Sequence, residues 1–116
     1  MNNDRLAFLL QFFEEDPNDP FNAYALAMEY QQSDVAKAEH YFHLLLEKHP
    51  DYLPAYYHAA ALFAELEHLE QAEQVYQKGL QLALGQQNTK TYQELQRAYR
   101  GFQDEYLSWE TAILTS

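Results

Sequence analysis

His40 and His43 stand three residues apart, with Glu39 and Glu47 nearby, so a helix can bring two imidazoles and a carboxylate together. This is the best metal-ligand spacing that the five histidines offer. On the same segment, however, the apolar stripe of Ala38 and Phe42 faces away from both imidazoles. Nothing supplies a distant fourth ligand or the hydrogen-bonded support that metal-binding histidines use. The expectation is therefore solvent-facing histidines, no metal and no cofactor. No grouping of Ser, His and Asp, no Gly-rich phosphate loop and no pair of buried carboxylates can be proposed. Cysteine is absent, which removes disulfides, thiolate metal sites and Cys nucleophiles. A protein without catalytic residues, not an enzyme, is expected.

Charge narrows the partners. The net charge of −11 repels nucleic acid and anionic lipid, so neither is expected, and a basic or neutral protein partner fits better. Within so acidic a chain, Arg97 and Arg100 are locally unusual and suit an acidic side chain or terminus. Their spacings to Glu94 and Asp104 also allow pairing along the helix surface. The apolar run from Leu6 to Phe13 is interrupted by Gln11, is followed by Glu14, Glu15 and Asp16, and has only Arg5 ahead of it. It reads as a helix of the mature protein, not a leader. No stretch approaches the roughly 20 apolar residues of a membrane span. These features, with the missing cysteines, point to a cytoplasmic protein.

The elements that position these residues follow from periodicity. At 116 residues with 47% hydrophobic content, the chain is expected to form one domain with ample core material. A first helix is expected over 4–15, with Leu6, Leu9, Leu10 and Phe13 as its stripe and Asn3 or Asp4 as its cap. Asp19 caps a second helix with Pro20 in its first position, where a missing N–H costs nothing. This helix runs from Phe21 to about Gln32, and a third follows from Asp34 to Lys48. His49-Pro50 closes the third helix. Two further helices cover Leu53–Leu66 and Leu69–Leu84, with Gly85 suited to a left-handed stop. A sixth begins between Asn88 and Thr91, where Thr91 and Glu94 have capping-box spacing.

These helices repeat. Tyr56, Ala59, Ala60 and Phe63 recur at helical spacing, and Ala23, Leu26, Ala27 and Tyr30 occupy the same slots at one constant offset earlier in the chain. Ala38, Phe42, Leu45 and Leu46 stand in the same way before Ala72, Tyr76, Gly79 and Leu80, but at an offset one greater. The loop before the third helix is therefore expected to be one residue shorter than its later counterpart. Tyr92, Leu95, Gln96 and Tyr99 repeat the pattern of Tyr56 and its companions once more, at a longer offset.

The order aromatic, large apolar, small, aromatic, then Ala, aromatic and small resembles the tetratricopeptide repeat, a helix-turn-helix unit of about 34 residues. Two slots depart from it: Ala59 stands where the family usually has Leu, and Leu84 where it usually has Pro. The resemblance implies an all-α fold of stacked antiparallel helical hairpins, an α-solenoid of about six helices in a right-handed superhelix. Residues 20–49 and 53–84 would form two full repeats, 4–15 an N-terminal cap, 88–106 a C-terminal capping helix and 107–116 a tail.

The resemblance also implies a scaffold that binds a peptide or protein segment in a concave groove lined by the first helix of each pair. Carried onto this sequence, the groove positions are Tyr24, Met28 and Gln31, then Tyr57, Ala61 and Ala64, then Gln93, Arg97 and Arg100, with His58 beside them. Relatives that clamp a C-terminal carboxylate hold Lys and Asn at the groove positions of the first helix and basic residues in the next, where this chain has Tyr24, Met28, Tyr57 and Ala61, so such a clamp is not expected. The alternative is a structural subunit that homodimerises through its C-terminal helix and tail. There Phe102, Tyr106, Trp109 and Ile113 continue the stripe of Leu95 and Tyr99 at intervals of three and four.

Overall fold

The computed structural model describes residues 3–107. Its elements are α1 (Asn3–Glu15), α2 (Pro20–Tyr30), α3 (Val35–Lys48), α4 (Pro54–Glu65), α5 (Leu69–Gly85) and α6 (Thr89–Phe102), followed by one π-helical turn at Gln103–Leu107. No strand occurs among the described residues. The fold is the expected all-α helical repeat.

Local chemistry sets the helix ends. The Asp19 carboxylate accepts from the Phe21 N–H at 3.0 Å with Pro20 in the first turn, and Asp34 accepts from the Lys37 N–H at 3.2 Å. At α6 the cap is Asn88, whose side chain accepts from the Thr91 N–H at 3.0 Å. Thr91 itself lies inside the helix, which corrects the capping-box expectation.

The helix stops required a second correction. Gly85 is the last residue of α5, and the left-handed position falls on Gln87 at φ 57°. Glu67 does the same after α4 at φ 61°. In both loops the residue beyond it donates back to a carbonyl five residues earlier, His68 to Phe63 at 2.8 Å and Asn88 to Ala83 at 2.9 Å. With Glu67 donating to Ala64 at 2.9 Å and Gln87 to Leu84 at 3.0 Å, each loop has the paired bonds of a Schellman stop. The loop after α2 lacks this device, since Ser33 and Asp34 both donate to the Tyr30 carbonyl. The segment from Tyr30 to Ala38 is one residue shorter than that from Phe63 to Ala72, but α4 runs on to Glu65 whereas α2 stops at Tyr30. The loop before α3 (31–34) is therefore longer than the one before α5 (66–68), which corrects the expectation of a shorter loop there. No proline closes α5, so the helix runs on to Gly85 and leaves Leu84 60% exposed.

The chain divides at Ala55 and Tyr56 into two compact units. In the first, α1, α2 and α3 bury Ala23, Leu26, Ala27, Ala38, Phe42 and Leu45. Rings fill the remaining space: Phe13 meets Tyr41 edge-on at 5.5 Å, and Tyr41 stacks on Tyr30 at 5.9 Å. Asn22 of α2 donates to the carbonyls of Phe12 and Asp16 at 3.1 and 3.0 Å, which satisfies the open end of α1.

In the second unit, α4, α5 and α6 converge on Gly79. A Cβ placed there would lie 2.8 Å from the Tyr56 Cβ and 3.2 Å from Leu95 Cδ1. The hydrogen of glycine is the only side chain this approach admits. Tyr76 then packs against Tyr99 and Phe102, both at 5.5 Å between ring centroids. The Tyr99 hydroxyl donates to Glu73 Oε1 at 3.2 Å and accepts from Gln77 Nε2 at 3.1 Å, which ties α6 to α5.

This packing sets how stability responds to substitution. Gly79→Ala lowers stability by about 1–3 kcal/mol in urea unfolding, although alanine favours helix, because the Tyr56 Cβ cannot rotate away. Gly101→Ala, in open space, serves as the control and leaves stability unchanged or raises it by a few tenths of a kcal/mol. Glu67→Gly relieves the left-handed strain and raises the unfolding midpoint, with a gain of about 0.5–1 kcal/mol. Burial, and then the neighbouring Tyr57 and Tyr106 hydroxyls, push Tyr76 up to about 12 from an ordinary value of 10.0. Its contribution is therefore complete below pH 10 and is lost as pH rises toward 12. The loss is on the order of 1–2 kcal/mol once solvent screening of the hydroxyl is allowed for, and Tyr76→Phe flattens that slope in alkaline unfolding.

Candidate functional site

The first helices of the repeats carry the positions read from sequence as ligand-facing, and each can be placed within its own unit. On α2, Tyr24 and Met28 are half-buried and, with Phe21, form a stripe at spacings of three and four. These three residues line a hollow of about 390 Å³ that Arg5 and Leu9 of α1, Ala25 and Glu29 of α2 and Gln32 of the turn after it complete. Its floor is apolar, with Phe21 57% exposed. Its rim carries an ion pair, Arg5 Nε to Glu29 Oε1 at 3.3 Å. Tyr24 also meets Tyr52 edge-on at 5.7 Å, a contact that fixes the ring's tilt. Burial raises the pKa of Tyr24, so its phenol is neutral across the physiological range. Gln31 is half-buried at the α2 C-terminus and does not line this hollow.

In the second unit, α4 presents Tyr57, 40% exposed, beside half-buried His58, with ring centroids 5.2 Å apart. Burial lowers the pKa of His58, so the neutral imidazole prevails at pH 7, able both to donate and to accept. Ala61 is half-buried at the same surface. Ala64, one helical turn further, is buried in the core, so it offers a ligand nothing. On α6, Gln93, Arg97 and Arg100 are exposed and, with Gln96, line a second hollow of about 420 Å³. Its walls are guanidinium and amide groups, suited to carboxylate or backbone carbonyl.

The family resemblance points to Tyr24 and Met28 but not to their neighbours. Phe21 carries a readable signal, its spacing to Tyr24 and Met28. Arg5 and Leu9 reach the hollow only because α1 packs on α2, which no local pattern encodes. His40 and His43 are both exposed, with His40 edge-on to Tyr41 at 5.0 Å and His43 Nε2 3.7 Å from Glu39 Oε2. Among the described residues, no three His, Asp or Glu side chains are grouped as a metal ion requires.

The tail stripe divides. Phe102 is buried against Tyr76, Tyr99 and Tyr106 of its own unit, which removes it from a surface open to a second copy. Tyr106 is half-buried on the π-helical turn, and Trp109 and Ile113 lie outside the described residues. Among the described residues no helix is long and apolar enough to cross a membrane.

No family model and no curated protein matches the chain. Among solved structures, the chain is similar to a tetratricopeptide repeat domain protein from Salinibacter ruber. The solution NMR structure of that domain aligns at a TM-score of 0.74 with 34% identity, covering 79% of this chain and 94% of that one. A crystal structure under the same description aligns at 0.69 with 34% identity, covering 73% and 97%. One aligned residue in three is thus shared over nearly the whole of that domain, and the small and aromatic repeat slots Ala27, Tyr30, Ala60, Phe63, Ala72 and Tyr76 are buried here as the repeat requires. The chain belongs to the tetratricopeptide repeat family.

Proposed function

We propose that the protein is a non-catalytic interaction module of the cytoplasm that holds a segment of another protein against the first helices of its repeats. The observation that carries this reading is the hollow on α2, where Tyr24, Met28 and Phe21 offer apolar surface to solvent beside the Arg5 and Glu29 ion pair. An apolar floor with a charged rim suits one apolar side chain of a peptide whose backbone runs across the rim. Tyr24 and Tyr57 provide large contact area with few torsions to freeze, the property that makes tyrosine effective at interfaces. His58, neutral through burial, is suited to a peptide backbone group, and Arg97 and Arg100 with Gln93 favour an acidic side chain or terminus. Ala61 keeps the α4 surface low enough for a main chain to lie on it.

Selection of a displayed peptide library on the immobilised full chain tests the proposal. Enriched segments are expected to carry an apolar anchor, and Tyr24→Ala with Met28→Ala should weaken them at least about tenfold. Circular dichroism and thermal unfolding check that the double variant remains folded, since losing the Tyr52 contact costs about 1 kcal/mol. Failure to enrich any segment, or equal binding by the folded double variant, would overturn the assignment.

A further inference from the structure

One side of α1 presents large apolar residues to solvent. Phe8 is 58% and Phe12 50% exposed. The internal repeat shows that this is unusual for a helix in its position. Pro17 and Pro50 end corresponding helices, and the offset between them pairs Phe12 with Leu45 of α3, which is fully buried. Two large aromatic rings one helical turn apart on an exposed face are more than chance surface apolarity, and they call for a covering element.

The pattern on that face identifies the covering element. Arg5, Phe8, Phe12 and Glu15 follow at spacings of three, four and three, so they form one stripe along the helix, with charges of opposite sign at its two ends. Arg5 and Glu15 lie equally far from Leu10, and so do Phe8 and Phe12. An identical helix laid antiparallel across the stripe therefore sets Phe8 against Phe12 of the other copy and Arg5 against its Glu15, twice over by symmetry. The stripe is complementary to itself in shape and in charge, which is the requirement for a two-fold interface. Both end groups can reach across. Arg5 is 71% exposed despite its ion pair with Glu29, and Glu15 is exposed, accepting from Gln11 of the same helix at 3.3 Å. Antiparallel packing also places opposite helix-dipole ends together.

We propose that α1 is a homodimerisation helix, pairing antiparallel with α1 of a second copy through Arg5, Phe8, Phe12 and Glu15. One helix pair is at the small end of specific interfaces, so the dimer dissociates on dilution. This inference does not rest on the ligand reading above, and it places self-association on α1 instead of the C-terminal tail.

Sedimentation equilibrium of the full chain over a concentration series tests it. The wild type is expected to show a monomer-dimer equilibrium. Phe8→Ser with Phe12→Ser should remain monomeric with an unchanged circular dichroism spectrum, because both rings are exposed and their loss leaves the core intact. Arg5→Glu alone, or Glu15→Arg alone, should weaken the dimer about tenfold by setting like charges opposite each other, and the two together should restore it to within about threefold. A wild type that is monomeric throughout, a Phe8 and Phe12 double variant that dimerises normally, or a charge swap that fails to restore association would each overturn the proposal. Peptide selection by a monomeric variant would remain informative about the ligand reading, so the two tests fail separately.

Discussion

The approach of α5 to α4 and α6 at Gly79 is the constraint on which the second unit depends. A methyl group there would sit 2.8 Å from the Cβ of Tyr56, a distance that real packing does not tolerate. Because the contact is made to a Cβ and not to the end of a side chain, no rotamer change relieves it. With the helices held this close, Tyr56, Tyr76, Leu95 and Phe102 are all buried. The first unit meets the same demand with alanine, burying Ala23, Ala27 and Ala38 beside Leu26, Phe42 and Leu45. Small residues set the helix spacing, and large ones fill what that spacing leaves.

Aromatic rings take over where alkyl packing ends. Phe13, Tyr41 and Tyr30 run in sequence through the first unit, and Tyr76, Tyr99, Phe102 and Tyr106 through the second. A tyrosine serves this role because its ring is apolar while its hydroxyl reaches a partner, as Tyr99 does with Glu73 and Gln77. Glu73 is thereby drawn out of the otherwise solvated acidic surface of the region. No buried side-chain nitrogen or oxygen among the described residues lacks a partner, so the ring network adds packing without an unsatisfied polar group.

The same small and aromatic economy shapes the surface. Helix α2 turns Ala23, Leu26, Ala27 and Tyr30 inward, which leaves Phe21, Tyr24 and Met28 to line a hollow with α1. Helix α6 hides Leu95 and Phe102 and exposes a basic and amide face. Each of these two helices therefore buries one stripe and leaves the adjacent one more open, and the division follows from helical periodicity.

The helices, their order and their repetition were legible in the order of amino acids alone. Those depend on the spacing of apolar residues and on caps such as Asp19 and Asp34, which act within a few residues and can be read locally. The one-residue difference in repeat offset was legible too, because it is a matter of counting, but which element absorbs it was not: α4 runs on to Glu65 while α2 stops at Tyr30, so the loop before α3 is the longer of the two. The placement of the left-handed stops went instead to Glu67 and Gln87, since the fit of each chain reversal to the next helix outweighed the intrinsic ease of glycine at Gly85. It took the packing of helix on helix to bury Ala64 and Phe102, to bring Arg5 and Leu9 to the α2 hollow, and to leave Phe8 and Phe12 uncovered. Each of these outcomes depends on which helix packs on which face, and the range of that choice is longer than any window of local pattern.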